Sequence, residues 1–383
     1  MSYGIGSVAG GRFYQFDRFG ENARLDCLDA RTGEFLWKFE YRSDYEDMLG
    51  YNNGPRCSPV IDDGRVYLFG AEGMLHCVRA DDGGLVWKVD TAKKFGVVQN
   101  YFGVGSTPVV EGDLLLVMVG GSPAESQDAG RFDLDRVKGN GSGIVAFDKR
   151  SGAVRYAITD ELASYATPQL ATIDGRRWCF VFARGGLVGF DPASGQVDFH
   201  YPWQSRLRDS VNVSTPVVVG NEVLISESYG PGSSLLRVRP CGYEVVWRDR
   251  PGRDKSMMTH WNTPIYHDGY LYGSSGRHSG EAELRCIEWK TGRVMWSKPG
   301  LRRASLLYVD GHFVCLSEDG VLRLIEATEK RYVEVAKAVI RERPDGPPLV
   351  RAPAWAAPIL SNGLLYVRGD DRLVCLRLIA PQK

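Results

Sequence analysis

The 383-residue sequence contains no run of 18 apolar residues, so it offers no segment that could span a bilayer as a helix. It has no net charge: 47 Lys and Arg balance 47 Asp and Glu. Without a basic stripe, nucleic acid is excluded as a partner. The six histidines form no His-x-x-x-His pair, the eight cysteines form no Cys-x-x-Cys pair, and no Ser-His-Asp order can be defended. Gly139-Asn-Gly-Ser-Gly143 is glycine-rich but opens no helix, which a phosphate cradle would need. Helical periodicity is almost absent, which argues against ankyrin or tetratricopeptide arrays. The first residues, Met1 to Gly11, lack the charged-then-apolar pattern of a signal segment.

What the chain has is glycine (45 residues), 43% apolar residues and one sentence said many times. Cys27-Leu-Asp-Ala-Arg-Thr-Gly33-Glu-Phe-Leu-Trp37 reads small, apolar, acidic, a Gly turn, then Trp. Cys77 to Trp87, Ala146 to Tyr156, Gly189 to Phe199 and Cys286 to Trp296 repeat it; Arg237 to Trp247 repeats it with Gly242 one place early. Leu324 to Glu334 and Cys375 onward are worn copies. The starts run from 27 to 375 in seven steps, (375 − 27)/7, a period of about 50 residues. The units open on Ser/Thr/Ala-Pro, as at Thr107-Pro108 and Thr215-Pro216, a dipeptide that the first one lacks, and hold four short runs of β-branched and aromatic residues between turn signals. Four-stranded units of this length, repeated radially, predict an all-β, eight-bladed β-propeller spanning 1–383 as one domain. The Trp is predicted to cover apolar area between neighbouring blades, and the Gly to take a turn with positive φ.

The repeated Ala/Cys-x-Asp-x-x-Thr/Ser-Gly-x-x-x-Trp sentence, with Ser/Thr-Pro-Val-Val openings, resembles the tryptophan-docking repeat of the pyrroloquinoline quinone (PQQ)-like propellers. That superfamily includes quinoprotein alcohol dehydrogenases and the outer-membrane assembly lipoprotein BamB. The resemblance covers nearly the whole chain and implies the fold more strongly than any one function. The dehydrogenases carry PQQ under a vicinal Cys-Cys disulfide, with calcium held by Glu, Asn and Asp. No two cysteines are adjacent here, and the calcium set cannot be placed, so the cofactor is not carried over. Cys27, Cys77, Cys286 and Cys375 share one slot of four blades, where a small buried residue and a free thiol are expected. Relatives are mostly exported, whereas free thiols suit a reducing compartment. The location therefore depends on whether a leader lies upstream: periplasmic or extracellular with one, cytoplasmic without.

The repeat predicts a short first strand in blade 1 and a last blade lacking its closing strand. Two insertions interrupt the rhythm. Gly121 to Gly143, with Asp128, Asp133 and Asp135, reads as a solvated loop, and Val335 to Trp355 as a Pro-rich surface connection. His76 is placed inside a third strand, His267 and His312 in turns, and His200 after a fourth strand; all four are read as structural.

The connections before each Ser/Thr-Pro deliver polar residues to the mouth of a propeller's channel. Here they include Asn53 and Arg56, Tyr101, Tyr165, Asn212 (in the segment from Asp209), and His260-Trp261-Asn262; a neighbouring loop adds Arg277 and His278. Amides, cations and aromatic rings converging there would bind a small molecule or glycan, or a protein partner, as a monomeric interaction module. The competing readings are that Asn53, Asn212 and Asn262 cap turns and that Tyr101, Tyr165 and Trp261 plug the axis. The alternative function is a PQQ-dependent alcohol or sugar dehydrogenase.

Overall fold

Most copies of the repeated sentence fold into the same bulged hairpin. In the first, Asp29 Oδ1 accepts the backbone N–H groups of Arg31 (2.9 Å) and Thr32 (2.8 Å) and the Thr32 hydroxyl (3.0 Å). Gly33 N–H closes onto the Asp29 carbonyl at 2.9 Å with φ of +74°, a conformation that favours glycine. Asp148 and Gly152 build the same turn. The third and fourth strands then pair so that the small residue faces the aromatic one: Cys27 with Trp37, Cys77 with Trp87, Ala146 with Tyr156, Gly189 with Phe199, Cys286 with Trp296. In each pair a register shift follows the small residue at once, a bulge that increases the local twist.

The structure is a computed structural model and describes residues 3–129, 133–207 and 211–379; Asp209 lies outside them, as do Met1 and Ser2. Its sheets are seven of four strands and one of three, each in sequential antiparallel order, which makes the chain an eight-bladed β-propeller in class. Helix is nearly confined to the single turn and a half at Thr91–Phe95. Contact density divides the chain into two compact units, 1–221 with 239–243, and 222–238 with 244–383.

Within each unit the core lies between consecutive sheets. Trp87, Tyr67 and Cys77 of blade 2 pack with Leu115, Val117 and Phe147 of blade 3; Tyr272 and Cys286 of blade 6 pack with Phe313 and Cys315 of blade 7. In four cases the aromatic residue of one blade docks on the turn glycine of the next: Trp37 on Gly83, Trp87 on Gly152, Tyr156 on Gly195 and Trp247 on Gly292. A Cβ built on Gly83 would stand 2.6 Å from the Trp37 ring, one on Gly152 2.8 Å from Trp87, and one on Gly292 2.9 Å from Trp247. The docked polar tips also find acceptors: Trp87 Nε1 on the Lys149 carbonyl (3.1 Å), Tyr156 hydroxyl on that of Pro192 (2.6 Å), and Trp247 Nε1 on that of Trp289 (2.8 Å). The predicted gluing role of the aromatics therefore holds within both units.

The structure corrects several expectations. Gly242 does not take the turn of blade 5; that hairpin is shorter, and Cys241 adopts the positive φ (+59°) instead. Phe199 accordingly docks on the Tyr243 ring, 5.2 Å away, rather than on a glycine. The first strand of blade 1, Ser7–Ala9, is not stunted, because Val60–Asp62 and Ile265–His267 have the same length of three residues. Among the described residues the last blade does have three strands and no fourth, Ile359–Ser361, Leu364–Arg368 and Leu373–Arg377. Cys375 is consequently exposed, unlike Cys27, Cys77 and Cys286, because no fourth strand covers its slot. His200 lies within the strand Val197–Pro202, while His267 and His312 end and begin the strands Ile265–His267 and His312–Ser317. The second insertion starts later than expected, after the strand Glu334–Val339.

Candidate functional site

The ten predicted residues fall into two groups of five, one in each unit. In the first unit, Arg56 is almost wholly buried (6% of its side chain exposed) beside the fully buried Asp47, with Nη2 2.5 Å from the carboxylate. It also donates to the Asn52 and Gly54 carbonyls and lies over the Tyr45 and Tyr3 rings. Asn53 is exposed, but its Oδ1 accepts the Asp47 N–H at 2.9 Å. The Tyr165 hydroxyl accepts the Phe102 N–H (2.8 Å). Tyr101 sits under the Arg184 guanidinium, whose partner is Asp135 at 2.9 Å, so the first insertion is tied to this group. Asn212 is a strut: its amide donates to the Ala183 carbonyl (2.7 Å), while its carbonyl accepts from Tyr165 and Ala166. Burial raises the Tyr165 hydroxyl well above its ordinary pKa and keeps it neutral.

In the second unit, connections and loops of four blades meet. His260 accepts at Nδ1 from Arg303 (3.2 Å), because a guanidinium can only donate. Its proton is therefore on Nε2, 3.3 Å from the Tyr229 hydroxyl. Arg303 in turn holds Glu318 (2.7 Å) and lies over Trp355, whose Nε1 donates to the same carboxylate (3.0 Å). Arg277 covers the Tyr229 ring at 4.3 Å and offers its carbonyl to Arg303. His278 is exposed. Trp261 stands 6.4 Å from Trp355, and its buried indole N–H has no hydrogen-bond partner, nor has the buried Thr259 hydroxyl. Asn262 is buried, donating to the Ser274 carbonyl (3.1 Å).

The sequence pattern missed Tyr229, Arg303, Glu318 and Trp355. A signal for Trp355 existed. Arg56, Tyr165 and Trp261 each lie three residues before the proline that opens a blade, and so does Trp355 before Pro358. The other three sit at strand ends in loops with no fixed offset, which only the packing brings together.

Burial and the charges of Arg303, Arg277 and His278 push His260 down to about 3, and burial with Lys88 pushes His76 down to about 4. Burial pushes Glu227 up to about 7 against its backbone hydrogen bonds. The signs differ. The histidines stabilise the fold above 6.5 and lose that contribution as pH falls, since the unfolded chain binds their protons first. Glu227 contributes below 4.5, and its contribution is lost as pH rises through about 7. Between pH 4.5 and 6.5 the three leave a net of one proton taken up on unfolding, a stability loss of about 1.4 kcal/mol per pH unit on acidification. Urea melts across that range are expected to steepen toward two protons in Glu227→Gln and to flatten in His260→Asn. Unchanged slopes in both variants would contradict the assignment.

The family model described as outer membrane protein assembly factor BamB matches residues 21–298, most of the chain. The chain belongs to the BamB family. Solved structures share the fold at low identity. BamB from Moraxella catarrhalis is 15% identical, with a TM-score of 0.61, covering 99% of this chain and 94% of its own. Sqt1 from Saccharomyces cerevisiae is 11% identical, with a TM-score of 0.60 and coverages of 99% and 96%. The quinohemoprotein alcohol dehydrogenase from Comamonas testosteroni is 12% identical, with a TM-score of 0.58 and coverages of 95% and 69%. None of the curated proteins is a significant match.

The last likeness raises PQQ with its calcium, and the residues of this BamB-family chain do not fit that group. Among the described residues no three His, Cys, Asp or Glu side chains converge as metal ligands. Glu318, the acid that accepts the Trp355 N–H, is already committed to Arg303. All eight cysteines are free thiols.

Proposed function

We propose that this BamB-family chain is a binding module and that the loops of its second unit take a hydroxyl-rich, carbohydrate-like ligand. One observation carries the reading: two half-buried indoles from different blades, Trp261 and Trp355, stand side by side, and the Trp261 N–H is unsatisfied. Sugar rings stack on such faces, and a sugar hydroxyl would accept that N–H. Arg277, over the Tyr229 ring, and the exposed His278 belong to the same cluster of loops, while His260 is occupied at both nitrogens and positions Arg303 and Tyr229. Asn53, Arg56, Tyr101, Tyr165, Asn212 and Asn262 support the connections rather than touch the ligand. A thermal-shift screen of neutral and charged oligosaccharides tests this. Hits are expected to lose their shift in Trp261→Ala and to weaken in Arg277→Ala. No hits, or hits indifferent to both changes, would overturn it.

A protein partner is the second reading. It is favoured by the exposed Leu49 (44%) and Tyr51 (63%), the latter 6.1 Å from Phe102, in the first unit. The BamB family description, an assembly factor, points the same way. A dehydrogenase is the weakest reading, given the misfit to its cofactor; saturable PQQ binding would revive it.

A further inference from the structure

A cavity of about 520 Å³ lies in the first unit, between the connection that follows blade 1, the second turn of blade 2 and the insertion of blade 3. Its volume suits a small organic ligand. None of the ten residues predicted from the sequence lines it. Val97, Val104, Val119 and Leu162 make apolar walls, and Glu72 stands among them.

The charged groups around the cavity are paired or exposed, apart from Glu72. Arg42 pairs with Asp44 (3.1 Å) and Arg184 with Asp135 (2.9 Å). Asp90 caps the helix by accepting the Lys93 N–H, and the Lys93 side chain is exposed. Glu72 has no cationic partner. Its two oxygens each accept one hydroxyl, Tyr41 at 2.7 Å and Ser43 at 2.8 Å. His76, packed 4.2 Å from Tyr41, does not supply the missing charge: burial holds it near 4, so it is neutral at pH 7.

Two further features mark a built cradle. Gly70 lies where a Cβ would stand 2.1 Å from Glu72 Oε1 and 2.2 Å from the Tyr41 hydroxyl. Its φ is not positive, so the room for that pair is what requires glycine there. Tyr45, 4% exposed, also lines the cavity, and its buried hydroxyl has no hydrogen-bond partner. A buried polar group left unpaired is costly, and a donor brought by a ligand would satisfy it.

We propose that this cavity binds a primary ammonium group carried on an apolar body, with Glu72 as its counter-ion and the Tyr45 hydroxyl as a second acceptor. A carboxylate fed by two hydroxyls keeps lone pairs for N–H donors, and the apolar walls remove the body of the ligand from water. The amine could be free or displayed as a peptide lysine; the chemistry is the same.

Calorimetric titration with phenethylamine, with phenethyl alcohol as its neutral counterpart and with a lysine-containing apolar peptide tests the site. The amine is expected to bind and the alcohol not. Glu72→Gln, which keeps the shape and removes the charge, is expected to weaken the amine by about tenfold or more. Val98→Trp adds bulk to the cavity wall and is expected to abolish binding, which decides the matter if Glu72→Gln fails to fold. Trp261→Ala leaves amine binding unchanged, so failure here is separate from failure of the sugar reading. Binding by the peptide alone assigns the amine to a protein partner, and binding by both or by phenethylamine alone to a free amine. No binding by either amine at millimolar concentration, equal binding of the alcohol, or an unchanged affinity in Glu72→Gln overturns the proposal.

Discussion

Trp87→Ala is expected to cost about 3–5 kcal/mol of stability, the range for truncating a buried tryptophan to alanine. The ring is only 9% exposed and fills the space between blades 2 and 3 against Gly152. It also satisfies a backbone acceptor, since its Nε1 shares the Lys149 carbonyl with the Tyr67 hydroxyl, both at 3.1 Å. The loss would therefore combine transfer, a cavity and one hydrogen bond. Gly152→Ala attacks the same contact from the other side: its φ of +73° costs an L-residue about 1–2 kcal/mol, and its Cβ would push the ring away. In the double variant the push has no target, so the cycle should be non-additive. Trp37→Ala is expected to cost less, because that ring is half-buried and its Nε1 has no acceptor. Urea melts measure all four. A Trp87→Ala cost under about 1 kcal/mol would mean that the docked rings do not hold the blades together.

Glu318→Ala is the second large effect expected, about 3–5 kcal/mol, the penalty for leaving a buried cation without its counter-ion. Glu318 (8% of its side chain exposed) holds Arg303 (16%) through two guanidinium nitrogens, at 2.7 and 3.0 Å, and takes the Trp355 N–H. Burial alone would raise its pKa, but hydrogen bonds from Arg303, Ser279 and Trp355 outweigh it and hold the carboxyl below its ordinary value. Removing both charges should be milder than removing either, since no unpaired ion then remains. Arg303→Ala has a second readout: it takes away a cation that depresses His260, so the imidazole should titrate higher by NMR. A Glu318→Ala variant as stable as the parent, or an unmoved His260 in Arg303→Ala, would break this account of the cluster.

The fold was legible because its causes are local and repeated. Asp29, Thr32 and Gly33 make their turn among themselves, and the small residue opposite each aromatic follows from a hairpin of fixed length. Where the length changed, the reading failed: the shorter hairpin of blade 5 moved the left-handed position to Cys241. Cys375 shows the same limit from another side, because a slot is buried only when a neighbouring strand covers it.

The candidate sites were legible only in part. Polar connections before Ser/Thr-Pro could be named, but not which of them would be consumed as struts. Asn212 and Asn262 spend their amides on carbonyls, and Arg56 spends its charge on Asp47. Tyr229, Arg303 and Glu318 carry no common spacing, so nothing in the order of residues joins them to His260.

By itself, then, the amino-acid order determined the eight units, most of their turns and the place of the aromatics between neighbouring blades, because those interactions are set by neighbours along the chain or by one repeat of it. The tertiary structure alone decided which side chains are spent and which keep a polar group unpaired. The Glu72 carboxylate takes hydroxyls from Tyr41 and Ser43 in place of a cation, and the buried Trp261 N–H has no acceptor, only because residues distant in sequence pack around them.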